Sequence, residues 1–178
     1  MALLDPRSFE ATSNSPEQTH RLGARLGANL PARAIVALRG DMGAGKTTFA
    51  RGFGDGWDAE PALRSPTFTM VQRHHKMTQQ QDDAATQSNG PWLYHVDLYR
   101  AQTPADLASI GLRELIEEED VAVLLIEWPE HAGDMVPESA IQISIRTVNE
   151  TKRQFLFATR SDETWKVLLA FRKTTFGV

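Results

Sequence analysis

The sequence has 178 residues, of which 41% are hydrophobic and 24% charged, with a formal net charge of -4 and no cysteine. This length fits a single domain over residues 1–178, and the composition excludes a membrane protein, disulfides and thiolate metal sites. The negative charge disfavours direct contact with DNA or RNA, because phosphate binding needs clustered lysine and arginine side chains.

The N-terminal segment predicts a strand followed by a helix. The first ten residues lack a basic leader and a sustained apolar segment, so we expect no signal peptide and take the cytoplasm as the default location. Residues 7–12 have the composition of a short strand. Ser15, Pro16 and Gln18 then mark a helix start, with Ser15 as the N-cap and Pro16 at the first helical position.

A buried strand and a second helix come next. Residues 34–38, AIVAL, are apolar without alternation, which is typical of a strand covered on both faces in a parallel sheet. A helical pattern follows Lys46, and we expect that helix to stop at Gly54 and Gly56.

The middle of the chain predicts two strands separated by an irregular segment. Residues 67–73 and 92–99 have strand-like composition. Residues 77–90, within the polar, glutamine-rich stretch HHKMTQQQDDAATQSNGP, predict a flexible surface loop. We assign this loop no chemistry.

The remaining elements indicate the fold class. We expect a helix from Thr103, a buried strand over residues 121–126, further strands over residues 140–147 and 152–159, and a last helix capped by Asp162. Buried strands separated by helices indicate an α/β fold with a mostly parallel central sheet. The alternating pattern of the last two strands predicts an antiparallel C-terminal end.

The stretch between the first buried strand and the second helix matches a phosphate-binding pattern. Gly40, Gly45, Lys46 and Thr47 satisfy G-x-x-x-x-G-K-[ST] in GDMGAGKT. Glycines let successive backbone N–H groups close around phosphates, and the following helix N-terminus adds partial positive charge. We therefore expect Lys46 to reach the β- and γ-phosphates of a nucleotide and Thr47 to ligate Mg²⁺.

Two acidic residues at strand ends are candidates to complete such a site. Glu127 ends the apolar run in LLIEWPE, where a carboxylate can hold a metal ion or its water. In HVDLYR, alternation places His95, Asp97 and Tyr99 on one strand face, and Asp97 is the candidate to orient or deprotonate an attacking water. An amphipathic edge strand with no catalytic role would give the same HVDLYR pattern.

Two other groups of polar residues carry less information. Ser65-Pro-Thr-Phe-Thr69 is a turn that feeds a strand, at a place where a phosphate-sensing segment could lie. His74, His75 and His131 show no metal-ligand spacing with acids, and we expect them to be solvated.

Taken together, these segments resemble one family, the bacterial P-loop ATPase TsaE, also called YjeE, of tRNA threonylcarbamoyladenosine (t6A) biosynthesis. The resemblance covers about residues 15–130 and lies in SPEQTHRLGARLG, GDMGAGKTT, SPTFT, HVDLYR and IEWPE, in that order. It implies a P-loop NTPase-like three-layer sandwich and ATP and Mg²⁺ as cofactors. It also implies action with the TsaB–TsaD heterodimer on adenosine 37 of tRNA, which the ATPase reaches indirectly.

The resemblance also assigns roles to residues. Nucleotide phosphates would be bound by Gly43, Ala44, Gly45, Lys46, Thr47 and Thr48. Thr47 and Glu127 would hold Mg²⁺, and Asp97 would serve hydrolysis. Thr19 would lie near the nucleotide base and Trp128 beside the site.

Three other functions share the phosphate-binding pattern. A small-molecule or nucleotide kinase needs an arginine-rich lid, and Arg100, Arg113, Arg146 and Arg153 are scattered along the chain. A GTPase would carry N-K-x-D, whereas residues 149–152 read NETK, in the wrong order. The third is a nucleotide-sensing binding module with incidental turnover, in which ATP stabilises a partner-competent shape, and this alternative is close to the family role.

Overall fold

Strands and helices form most of the chain that the computed structural model describes, residues 7–65, 69–77, 91–118 and 121–177. The strands are β1 (Arg7–Ser13), β2 (Ala34–Arg39), β3 (Ala59–Glu60), β4 (Val71–Lys76), β5 (Trp92–Asp97), β6 (Val121–Glu127), β7 (Ile141–Thr147) and β8 (Arg153–Thr159). The α-helices are α1 (Pro16–Ala28), α2 (Lys46–Trp57), α3 (Pro104–Ser109), α4 (Leu112–Glu117) and α5 (Asp162–Phe176), and a 3-10 helix covers Pro129–Met135.

The described strands form one sheet in the order β1-β8-β7-β2-β6-β5-β4-β3. The four central strands, β7, β2, β6 and β5, pair in parallel. Antiparallel strands extend the sheet on both sides, β8 and β1 at one edge and β4 and β3 at the other. The predicted α/β class, parallel centre and antiparallel C-terminal strands are confirmed, whereas the antiparallel pairing of β3, β4 and β5 was not predicted.

Helices cover both faces of this sheet, as a three-layer sandwich requires. Val123 and Leu125 of β6 pack in the core cluster that contains residues of α1, α2 and α5. Leu124 and Ile126 pack in the cluster on the other face, with residues of α3 and α4. Because successive strand side chains point to opposite faces, β6 is buried along its whole length.

Glycines bring α1 and α2 into close contact. A Cβ atom on Gly52 would lie 1.9 Å from the carbonyl oxygen of His20, and one on Gly56 would lie 1.9 Å from that of Ala24. No side chain fits at either position unless the helices separate. These glycines therefore set the distance between the two helices.

The predicted stop of the second helix at Gly54 and Gly56 is wrong. Both glycines lie inside α2, which continues to Trp57, and the helix ends at Asp58 with a left-handed φ of 63°. These glycines allow close packing instead, Gly56 against α1 and Gly54 against the Leu63 side chain.

Other boundaries also differ from the prediction. His74 belongs to β4, which starts at Val71, while residues 66–68 and 78–90, including most of the predicted loop, lie outside the described residues. The helix predicted from Thr103 is two helices, because Gly111 between them has a φ of 65°. The side chain that caps α5 is Ser161, one residue before the predicted Asp162.

Within the described ranges, no helix has both the length and the apolar character needed to span a bilayer.

Candidate active site

The loop between β2 and α2 has the backbone shape of a phosphate-binding loop. Gly40, Gly43 and Gly45 have φ angles of 151°, 78° and 105°, values that residues with a Cβ rarely adopt. Gly45 is also the N-cap of α2, so the N-terminus of that helix opens onto the loop. Backbone N–H groups and the partial positive charge of the helix end both favour an anion here.

Lys46 lies inside this loop and is only 7% exposed. Its ammonium group donates to the carbonyl oxygens of Gly40 and Asp41, at 2.6 Å and 2.9 Å, and lies 4.2 Å from the centre of the Trp128 ring. Burial lowers the pKa of Lys46, and the nearby acids, Glu127 foremost, oppose that shift. The lysine is thus held at the loop by backbone and aromatic contacts.

The two predicted acids meet at the same edge of the sheet. Asp97 ends β5 and Glu127 ends β6, and the two residues are directly paired in the parallel register. Both are buried, at 8% and 3% exposure. Because parallel strands end at a common edge, the two carboxylates face the loop that follows the neighbouring strand β2.

The pKa of Asp97 is raised above its ordinary value, mainly by burial. The charge of Glu127 raises it further, while the Tyr99 N–H, which donates to Oδ1 at 2.9 Å, together with His95 and Lys46, lowers it. A carboxylate with a raised pKa is a better proton acceptor, which suits a general base.

Glu127 has a buried partner of its own. Nε2 of His95 lies 2.8 Å from Oε1 of Glu127, and the histidine has no exposed surface. Sequence reasoning placed His95 on the polar face of its strand but identified no partner for it. The available signal was a histidine next to Val96 in a strand that proves to be internal to the sheet.

The loop and the strand ends enclose a cavity of about 460 Å³. Its lining includes eight of the predicted site residues: Gly43, Gly45, Lys46, Thr47, Thr48, Asp97, Glu127 and Trp128. Met42, Ser65 and Tyr99 also line this cavity. Of these three residues, Met42 is the one to which sequence reasoning assigned no place near the site.

Thr19 lies on the other side of the loop. It lines a smaller cavity of about 120 Å³, which Gly43, Gly45 and Thr48 share. The Thr19 side chain is 2% exposed, and its hydroxyl is hydrogen-bonded to that of Ser13 at 2.7 Å. The predicted position near a nucleotide is therefore separated from the acids by the loop itself.

Ala44 contributes to the loop rather than to the lining of either cavity. Its N–H donates to the Asp41 carbonyl at 3.1 Å, and its carbonyl accepts from Nε of Arg153 at 3.1 Å. Arg153 was missed as a loop contact because it lies 109 residues further along the chain. No local pattern signals such a pairing.

An aromatic wall closes one side of the larger cavity. Trp128 directly follows Glu127 and has a φ of 57°, a left-handed conformation that is rare for a bulky side chain. The rings of Trp128 and Tyr99 are 5.1 Å apart. This backbone turn places the indole beside Lys46.

The donor set of the cavity fits Mg²⁺. Thr47 and Glu127 supply a hydroxyl and a carboxylate oxygen, the hard ligands that this ion takes together with nucleotide phosphates. The described residues contain no group of three or more His, Cys, Asp or Glu side chains that could hold a metal ion alone. A site with one carboxylate therefore depends on the nucleotide for further ligands.

The histidines predicted to be solvated differ from one another. His74 is 2% exposed, with Nδ1 bonded to the Pro61 carbonyl, so the prediction is wrong for this residue. His131 is exposed, although Nδ1 contacts the Leu98 carbonyl at 2.7 Å.

Comparisons with known proteins agree with one another. The family described as "Threonylcarbamoyl adenosine biosynthesis protein TsaE" matches residues 13–155. A protein of Treponema pallidum named "tRNA threonylcarbamoyladenosine biosynthesis protein TsaE" is 32% identical, over 84% of this chain and 100% of its own length. A protein of the same name from Nostoc is 34% identical over 78% of each chain.

The fold has a close counterpart among solved structures. The crystal structure of Bacillus subtilis YdiB superposes with a TM-score of 0.68 at 23% sequence identity, covering 95% of this chain and 97% of that one. This likeness supports the fold, and the family match covers the loop and both strand-end acids. The chain therefore belongs to the TsaE family.

Proposed function

We propose that this chain is a magnesium-dependent ATPase of the cytoplasm that takes part in forming threonylcarbamoyladenosine in tRNA. The names of its relatives support the pathway. The observation that carries the ATPase proposal is the register pairing of Asp97 and Glu127 beside the Gly40–Thr47 loop. This arrangement offers an anion site, a metal ligand and a proton acceptor around one cavity.

Binding begins at the loop in this proposal. The backbone N–H groups at the start of α2 receive the phosphates, and Lys46 exchanges its bonds to the Gly40 and Asp41 carbonyls for phosphate oxygens. Thr47 and Glu127 would hold Mg²⁺, which supplies neutralisation of phosphate charge when bound.

Hydrolysis follows on the other side of the cavity. A water oxygen attacks the γ-phosphorus, the bond from that phosphorus to the bridging oxygen breaks, and ADP leaves. Asp97 orients this water and accepts its proton, a role that the raised pKa of the buried carboxyl favours. The Tyr99 N–H keeps Oδ1 of Asp97 in a fixed position.

The partners that we propose are TsaB and TsaD, with tRNA reached through them. We expect slow release of phosphate from ATP by the protein alone and faster release when the TsaB–TsaD pair is added. Phosphate release, with and without the pair, measures this directly. Equal rates in both samples would contradict the proposed partnership.

The same assay separates the ATPase from the kinase alternative. A phosphoryl-transferring lid usually supplies arginine, and the described residues that line the larger cavity include none. With labelled ATP, we expect the label in inorganic phosphate. Label transferred to a small acceptor molecule would instead support a kinase.

A further inference from the structure

His95 contacts Glu127, the proposed magnesium ligand, and the proposed function gives this histidine no role. Nε2 of His95 lies 2.8 Å from Oε1 of Glu127, and the two side chains are 0% and 4% exposed. We propose that His95 is a positioning residue for Glu127, fixing the carboxylate in the orientation that Mg²⁺ binding needs. This inference rests on the proposed function, because it assumes that Glu127 is a ligand.

The direction of the hydrogen bond follows from its partner. An ionised carboxylate only accepts hydrogen bonds, so Nε2 of His95 carries the hydrogen and donates it. The other ring nitrogen, Nδ1, is buried without a hydrogen-bond partner among the described residues. Within the described structure, the polar function of this ring is therefore directed at Glu127.

The register partners of His95 differ in polarity, since the partner on β4 is Gln72. Leu125, its register partner on β6, and Val96, its neighbour on β5, are both fully buried. An apolar side chain of similar size would satisfy packing here, whereas a buried polar ring costs free energy unless it is hydrogen-bonded. Donation to Glu127 offsets that cost.

An imidazole N–H also suits the role of orienting a carboxylate that binds a metal ion. A ring N–H that donates to the carboxylate fixes its orientation, as hydrogen-bond partners of metal ligands commonly do. A lysine or arginine at the same place would form an ion pair with Glu127 and compete with the metal.

The first test is His95→Leu, measured by the binding of a fluorescent ATP analogue over a range of Mg²⁺ concentrations. Loss of a hydrogen-bond partner of a metal ligand typically costs about 10–100-fold in metal affinity. We expect the Mg²⁺ concentration for half-maximal binding to rise by that factor. Binding of the analogue without Mg²⁺ should stay close to that of the unmodified protein.

Two further substitutions at His95 distinguish a positioning role from simple core packing, because only one of them restores a donor to Glu127. In His95→Gln the longer amide side chain keeps an N–H donor within reach of Glu127, and we expect most of the Mg²⁺ affinity to return. In His95→Asn the donor is too short to reach, and the affinity should stay low. A purely structural role predicts that neither substitution changes the Mg²⁺ requirement, whatever happens to the melting temperature.

His74→Leu is the matched control. His74 is a buried histidine on the neighbouring strand β4, but its Nδ1 donates to the Pro61 carbonyl and not to an acid. We expect this variant to lose thermal stability and to keep the ordinary Mg²⁺ requirement.

Two different results would contradict the proposed function and the positioning role of His95. If the unmodified protein shows no Mg²⁺-dependent nucleotide binding, the proposed function is wrong. If it does, and His95→Leu has an unchanged Mg²⁺ requirement, the positioning role is overturned. Should His95→Leu not fold, equal requirements in His95→Gln and His95→Asn would overturn it as well.

Discussion

At the scale of single residues, Asp97 is the side chain on which hydrolysis depends. It is buried beside the cavity, and its carboxylate is fixed by the Tyr99 N–H. In Asp97→Asn the shape and this hydrogen bond remain, but the proton acceptor is lost. We expect ATP turnover to fall by about 10²–10⁴-fold, the usual contribution of a general base, with nucleotide affinity nearly unchanged. Steady-state phosphate release and equilibrium nucleotide binding together check this, and normal turnover would exclude Asp97 as the base.

The same substitution should change stability in the opposite direction to activity. The folded protein raises the pKa of Asp97 above its ordinary value of 3.8, chiefly through burial. A carboxyl whose folded pKa is raised binds its proton more tightly in the folded state, so it lowers stability as pH rises through that range. Asp97→Asn removes this cost at neutral pH.

Urea unfolding without nucleotide or Mg²⁺ measures that effect. We expect Asp97→Asn to raise the free energy of unfolding by about 0.5–2 kcal/mol near pH 7, the range common for a single stabilising substitution. The gain should shrink as pH falls through the raised pKa of the folded state and disappear below 3.8, where the wild-type carboxyl is protonated in both states. A gain independent of pH would show that another cause is responsible.

At the scale of secondary-structure elements, the contact between α1 and α2 controls the position of the loop. Gly52→Ala would place a methyl group 1.9 Å from the His20 carbonyl oxygen, a backbone atom that moves only with its helix. Overpacking of this kind costs about 1–3 kcal/mol, more than the roughly 1 kcal/mol that alanine gains in helix propensity. We therefore expect lower stability and, because α2 starts at the loop, weaker nucleotide binding.

Two substitutions in α2 serve as controls for Gly52→Ala. Arg51→Ala changes an exposed neighbour and should leave both properties nearly unchanged. Gly54→Ala would meet the Cδ1 atom of Leu63 at 2.5 Å, the end of a flexible side chain, so its cost should be smaller. If Gly52→Ala were as stable as Arg51→Ala, close packing of these helices would not be the constraint that we infer.

The elements that sequence reasoning predicted well are those with a local signal. The apolar runs of β2 and β6 show burial on both faces, and the glycine-rich loop between β2 and α2 carries its own pattern. The two-residue strand β3 has too few residues to show a period. The roles of Gly54 and Gly56 were predicted wrongly because a glycine that ends a helix and a glycine that allows close packing look the same in the sequence.

At the scale of the whole molecule, the limits of prediction lie in contacts between distant segments. Sequence reasoning identified the acids at strand ends, and the common edge of β5 and β6 follows from parallel pairing. The His95–Glu127 bond and the Arg153–Ala44 bond join residues whose proximity only the sheet order creates. A single domain over residues 1–178 and the roles of the site residues stay predictions.

Ligand binding should stabilise the molecule as a unit, because the larger cavity is built from the loop after β2 and the ends of β5 and β6. At a free ligand concentration of about 100 times Kd, binding to the folded state adds about 2.7 kcal/mol. For a chain of this size that corresponds to a rise in Tm of roughly 5–11 °C. We expect this rise with ATP and Mg²⁺ together and no comparable rise in Lys46→Ala, whose loop has lost its phosphate-binding ammonium. Thermal unfolding of both proteins, with and without ligand, provides the measurement. An equal rise in Lys46→Ala would mean that the nucleotide stabilises the protein from a site other than the Gly40–Thr47 loop.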